Sequence, residues 1–221
     1  MRDYVPEAET IHHTVDPVSF PPAIEKLLLI ALALVLLVPC FWQSHLQAGD
    51  FSSHIYNAWL TLEAEKGSVT GLETHWQWTN TLADLFLPRL LQWTGRAATE
   101  RIASGIAVEL FFWGAFCLVA RACGRRPWMI APVLVMLAWG TIFQLGFLNF
   151  YLSTGISLWL VSTLWELTRA RIAAAVVLAA LALLAHALPF AGAFFAIAYI
   201  HAHRKIDSRL HVALLVAGVL I

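Results

Sequence analysis

Residues 27–42 carry no charge, and apolar stretches recur at about 102–122, 128–165, 172–202 and 211–221. Runs of this kind are near the length that crosses a bilayer as a helix, and they lack the alternation of barrel strands. The stretch 128–165 is too long for one crossing and is interrupted by Gln144-Leu145-Gly146-Phe147-Leu148-Asn149, which predicts two helices and a turn. Residues 172–202 read as a second hairpin folded at His186-Ala187-Leu188-Pro189. Each of its arms is about 14 residues, or about 21 Å of helix, so its tip is expected to stop below the headgroups. The pattern as a whole predicts an all-α integral membrane protein with about six transmembrane helices and the start of a seventh. The last run is too short to cross and ends while still apolar, as an incomplete final helix or a piece of a longer protein would.

Between the first two spans lies a loop of about sixty residues, roughly 43–101, far longer than an ordinary helix–helix connection. From Phe51 to Lys66 the apolar residues Phe51, Ile55, Ala58 or Trp59, and Leu62 recur at helical spacing. Asp50, Ser53, His54, Asn57 and Thr61 share another face, and Gly67 supplies a stop. A second amphipathic helix is expected over 81–93, with Leu82, Leu85, Phe86, Leu90 and Trp93 on its apolar side and Asp84 and Arg89 opposite. Trp76, Trp78 and Trp93 suit a membrane–water interface, so the loop should lie on the bilayer.

The basic clusters orient these elements. Arg121, Arg125 and Arg126 end the second span, Arg169 and Arg171 separate the two hairpins, and Arg204, Lys205 and Arg209 follow the second hairpin. The positive-inside rule puts all three in the cytoplasm, which makes residues 1–23 a cytoplasmic tail and 24–221 the membrane domain, with the long loop outside. The first run follows about two dozen polar residues without a good cleavage site after it, so it reads as a retained anchor. Composition agrees: 60% of the residues are hydrophobic and only 13% are charged, against about a quarter in soluble domains. Net charge is zero, so nothing points to nucleic acid as a partner. Cys40, Cys117 and Cys123 fit neither a zinc site nor a disulfide framework and read as packing residues. Phosphate-cradling loops, nucleophile elbows and nucleotide fingerprints are all missing from the sequence.

Five features together carry a resemblance. They are a first span followed at once by an acid, Asp50; an amphipathic loop helix; a long first external loop; Gly-Phe-Leu-Asn-Phe at 146–150; and His-Ala-Leu-Pro-Phe at 186–190. Over about residues 24–203 the chain resembles the N-terminal membrane module of GT-C-type glycosyltransferases of the bacterial multi-pass kind. The resemblance implies transfer of a sugar from a polyprenyl-phosphate carrier to an acceptor on the extracytoplasmic face of the inner membrane. The family's first-loop acid acts as a base or helps hold a divalent metal ion, and Asp50 is the position that matches it. Many members have a second acid within two residues, where this chain has Phe51 and Ser52.

The residues themselves leave alternatives open. Asp50 can deprotonate an acceptor hydroxyl, or it can cap the helix that begins at Phe51. His54, one turn on, can share a metal with Asp50 or contact a phosphate, or it can be an interfacial histidine. Asn57 continues the same face. Arg89 can pair with the phosphate of a carrier lipid, as can Arg96 and Arg101, or all three can meet ordinary headgroups. Asn149 and Gln144 can bond a sugar or satisfy the turn, and His186 can contact a ligand or end its helix. Glu109, inside the second span, should face the bundle interior or a wet cavity because an acid in hydrocarbon is costly. A transporter or flippase-like bundle working through Glu109 and His186, and a non-catalytic assembly protein, are the competing functional readings.

Overall fold

The computed structural model describes residues 20–42, 45–73, 75 and 77–203. The expectations for residues 1–19 of the tail, for Trp76, for the cluster Arg204, Lys205 and Arg209, and for the run 211–221 lie outside the described residues. Within them every regular element is helical: α1 (Pro22–Trp42), α2 (Phe51–Glu65), α3 (Leu82–Thr94), α4 (Arg96–Cys123), α5 (Ala131–Ala138, after a short 3-10 turn at Trp128–Ile130), α6 (Thr141–Gln144), α7 (Leu148–Thr163), α8 (Arg169–Ala185) and α9 (Ala187–Ala202). Both loop helices fall within a residue of their expected places. Both hairpin turns do as well, at 145–147 and at His186.

Two helices, α1 and α4, are long and apolar enough to cross a membrane, which associates the chain with one by length and composition. They differ in surroundings. Only 11% of the apolar window of α1 is buried against 50% of that of α4. A signal sequence near an N-terminus, or a buried core helix, has the same length and composition. The remaining apolar segments are shorter helices, and the first arm of the expected hairpin at 128–165 is broken at Trp139 and Gly140.

Helices α4 and α7 form the centre. They cross where small residues let the backbones meet: a Cβ on Gly114 would lie 2.9 Å from the Gly155 carbonyl oxygen, and one on Gly155 would lie 3.0 Å from the Phe111 amide. Close approach of this kind maximises van der Waals contact between the two helices. Tyr151 stacks on Phe111 with ring centroids 5.2 Å apart, and its hydroxyl donates to the Ala138 carbonyl at 2.6 Å. That bond satisfies a carbonyl at the end of α5, where the helix stops before Gly140. On one side of the α4–α7 pair α1 packs on α4, with Leu37 against Gly105. On the other, α8 and α9 pack on α7, where the Ser153 hydroxyl lies 2.9 Å from the Ala182 carbonyl and 2.8 Å from that of His186.

The amphipathic helices close one end of this bundle. Helix α2 buries Phe51, Ile55, Ala58 and Leu62 as its spacing predicts, and Trp59 turns outward. Helix α3 matches expectation in part: Leu82, Phe86 and Leu90 pack against the core, but its fully buried residues are Ala83, Leu87 and Pro88, and Leu85 and Trp93 are exposed. The N-terminus of α3 is held by other elements. The Asn149 amide oxygen accepts from the Ala83 amide at 2.7 Å, and its nitrogen donates to the Asn80 carbonyl at 2.9 Å. Thr81 donates its amide to the Leu184 carbonyl and Thr79 its hydroxyl to that of Leu183, both at 2.9 Å.

Asn149 is only 1% exposed, so removing its amide leaves buried partners unpaired. Asn149→Leu is expected to lower stability by about 1–3 kcal/mol for each orphaned group. Amide exchange at Ala83 should rise in step with the loss of thermal stability; unchanged protection would count against the clamp.

Candidate functional site

The end closed by α2 and α3 holds most of the residues singled out from the sequence, and Asp50 sits where its chain crosses the α6–α7 turn. The last carbonyls of α6 have no partners within their own helix. Gly49 donates its amide to the Gln144 carbonyl at 2.9 Å and Asp50 its amide to the Leu145 carbonyl at 3.0 Å. A Cβ on Gly49 would stand 2.5 Å from the Leu145 oxygen. Gly146, with φ of 75°, would place a Cβ 2.4 Å from both the Asp50 and Phe51 amides. Both crossing positions therefore require glycine, and together they locate Asp50 to within a backbone contact.

Asp50 occupies the residue before α2, as the capping alternative requires, but its carboxylate takes no hydrogen bond from the helix start. Its carbonyl oxygen instead receives the Ser53 amide at 3.0 Å. The side chain is exposed and makes no ion pair among the described residues. The result is a solvent-facing carboxylate on a backbone that cannot shift. His54 lies half-buried one turn along, and Asn57 follows with an exposed side chain.

Helices α2 and α3 run in the same sense: His54 lies near enough to Asp84 for its charge to act there, and Glu65 reaches Arg89 further along. Desolvation raises the Asp84 carboxyl above its ordinary 3.8, with the His54 charge opposing. Arg89 is engaged with Glu65 at 3.3 Å, an exposed pair that ties α2 to α3.

Two other candidates are committed to contacts within the fold. Asn149 is buried and spends its amide on the α3 clamp, as a structural role requires. His186 accepts the Leu188 amide on Nδ1 at 3.2 Å and packs its ring edge-on to Phe150 at 5.2 Å, so it starts α9. Among the described residues no three His, Cys, Asp or Glu side chains gather where they could hold a metal ion. Asp50 and His54 alone do not fit a protein-built metal site.

Two features were not legible in the sequence. A cavity of about 350 Å³ lies beside the crossing, between Trp42 and Gln47 on one wall and Trp139, Phe143 and Gln144 on the other. The Trp139 indole nitrogen is buried without a hydrogen-bond partner among the described residues, and Gln144 donates its amide to the Trp139 carbonyl at 3.2 Å. Aromatic walls with amide groups suit the apolar faces and hydroxyls of a sugar ring. The second is Glu100, buried near the start of α4 between Arg96 at 3.2 Å and His45 at 3.6 Å.

Comparison with protein-family models, curated proteins and solved structures finds no significant match.

Glu109 faces a groove of about 580 Å³ along α1 and α4, whose walls include Leu37, Phe41, Arg101, Gly105 and Trp159. The Trp113 indole donates to one of its carboxylate oxygens, and the other is buried without a partner among the described residues. Arg101 stands over the Phe41 ring at 6.0 Å near one end of that groove.

Two outcomes follow. Gly146→Ala adds a left-handed alanine, about 1–2 kcal/mol, on top of the clash. It is expected to lower the unfolding temperature and release the Asp50 amide to exchange, whereas Gly192→Ala, with open space at its Cβ, does neither. The raised Asp84 carboxyl means that the fold favours its protonated form, so its contribution is complete below 3.8 and is lost as pH rises through the folded value. Asp84→Asn is therefore expected to gain thermal stability over the parent as pH rises from acid to neutral, with the two converging below 3.8. A gap that widened in acid would contradict the sign.

Proposed function

We propose that this chain is a multi-pass protein of a bacterial inner membrane, of the GT-C glycosyltransferase kind, and that Asp50 acts in transfer of a sugar from a polyprenyl-phosphate carrier on the extracytoplasmic face. The observation that carries the reading is the Asp50 carboxylate itself: exposed, free of any cap bond, and held by backbone bonds on both sides of a glycine crossing. A catalytic base needs this kind of placement, because small errors of position cost large factors in rate.

Several features support a membrane setting with more than two crossings. Large apolar side chains are exposed along α1 (Leu27, Ile30, Leu34 and Phe41), α5 (Val133 and Met136), α8 (Val176 and Val177) and α9 (Leu188, Phe194 and Phe195). Apolar surface on this scale is not tolerated in water and is ordinary against lipid. The arginine-rich ends of α4 and α8 then mark the cytoplasmic side, and α2, α3 and Asp50 lie on the other, with the N-terminus cytoplasmic.

In the proposed step the Asp50 carboxylate accepts the proton of an acceptor hydroxyl as that oxygen bonds the anomeric carbon. The bond from this carbon to the carrier phosphate breaks, and its electron pair leaves on the phosphate oxygen. His54 and Asn57 lie along the same face to orient phosphate or sugar, and the Trp42–Trp139 cavity is suited to a sugar ring. Arg89 shares its charge between Glu65 and any phosphate that reaches α3.

The test is Asp50→Asn in membranes supplied with a polyprenyl-phosphate sugar. The bonds that anchor residue 50 come from its backbone, so the variant is expected to fold and insert as the parent does. Transfer should fall by about 10²–10⁴-fold, the range of a lost general base. Full transfer by a well-inserted variant would refute the assignment.

A further inference from the structure

The opposite end of α4 carries a second constellation. Arg121 lies in the last turn of the helix, Gly124 ends it with φ of 65°, and Arg125 and Arg126 follow. A cavity of about 390 Å³ opens between this end and α7, lined by all three arginines with Trp159, Ser162 and Thr163. Its charges are only partly matched. Arg126 is paired with Glu25 of α1 at 2.6 Å. Glu166 is engaged by Arg171 and stands 3.9 Å from Arg121, a distant second partner. Arg125 has no ion pair among the described residues. Four arginines thus meet two glutamates, which leaves an excess of positive charge facing the cavity.

We propose that this cavity holds the phosphate of an anionic phospholipid. The inference rests on α4 crossing the bilayer but not on any sugar transfer. Arg125 supplies the free guanidinium, which can fork onto two phosphate oxygens, and Arg121 stands close by with its weak hold on Glu166. Ser162 and Thr163 add hydroxyl donors from the α7 side. A soluble anion has no use for the remaining wall, which is the Trp159 ring together with the small side chains Cys117 and Ala120. A glycerol backbone and the first methylenes of an acyl chain match that surface, with the phosphate at the arginine rim. Basic pockets between helices at a cytoplasmic interface recognise lipid headgroups in this way. Trp159 is itself fixed, its indole donating to the Leu110 carbonyl at 3.1 Å, so the apolar shelf does not need to be built on binding.

The test uses the whole chain, purified in detergent and stripped of lipid, with phosphatidylglycerol added back and binding read by thermal shift and native mass spectrometry. The parent is expected to be stabilised and to retain phosphatidylglycerol in preference to phosphatidylcholine. Arg125→Gln should weaken that binding by about fivefold, the effect of one basic residue at a membrane surface. Arg121→Gln combined with Arg125→Gln should abolish the preference, with helix content by circular dichroism unchanged. Arg169→Gln, at the same end but outside the cavity, should leave binding as it is. Equal gains from phosphatidylcholine or from inorganic phosphate alone would overturn the proposal, as would full binding by a folded Arg125→Gln variant. Because none of these readouts requires glycosyl transfer, loss of lipid preference and loss of the proposed activity are separately visible.

Discussion

Two stretches of backbone cross at van der Waals distance where Gly49 and Asp50 meet the turn Gln144-Leu145-Gly146, and the arrangement of the loop end hangs on that contact. A long connection between helices would ordinarily be a mobile one, because each peptide group it buries must find a partner and each ordered residue costs about 1–2 kcal/mol of backbone entropy. Here the free carbonyls at the end of α6 supply the partners and two glycines supply the room. Once residue 50 is fixed, the start of α2 is fixed too, and the buried series Phe51, Ile55, Ala58 and Leu62 follows as one face of a helix.

The second loop helix is held by the same logic with different chemistry. Helix starts leave amides without internal acceptors, and α3 finds its acceptor in Asn149, 66 residues away in sequence. Thr79 and Thr81 meanwhile bond to carbonyls at the end of α8. Polar groups at one end of the bundle therefore add to the joining done by the buried apolar residues of α2 and α3. The arrangement couples the loop to both hairpin turns: the 145–147 turn meets Asp50, and the turn at His186 meets the α3 lead-in through the end of α8.

These constraints explain what the chain's pattern could and could not disclose. The places of α2 and α3 were legible because each is amphipathic and ended by glycine, and both hairpin turns were legible because polar residues interrupt apolar runs. The buried face of α3 was legible only in part. Apolar residues stand on its exposed side as well, and periodicity cannot tell Ala83 and Leu87 from Leu85 and Trp93. The position of Asp50 ahead of α2 was readable from the sequence, but the freedom of its carboxylate was not, since a cap bond depends on a rotamer. The roles of Asn149 and of the glycine crossing depend on contacts between distant segments, which no local pattern encodes.

The distribution of polar side chains then separates holding from acting. Along α7, Asn149 and Ser153 are buried and bonded, and the Tyr151 hydroxyl is too. Groups so committed cannot also bind a ligand without costing the fold their bonds. Among the described residues the uncommitted ones include the buried hydroxyls of Thr81 and, further along α7 itself, Ser157, the Asp50 carboxylate at the loop end, one oxygen of Glu109 and the Trp139 indole beside cavities, and Arg125 at the arginine end. An unpaired polar atom costs stability wherever burial denies it water. One oxygen of Glu109, beside the groove along α1, is buried without a partner among the described residues, whereas Asp50, already in solvent, bears no such penalty.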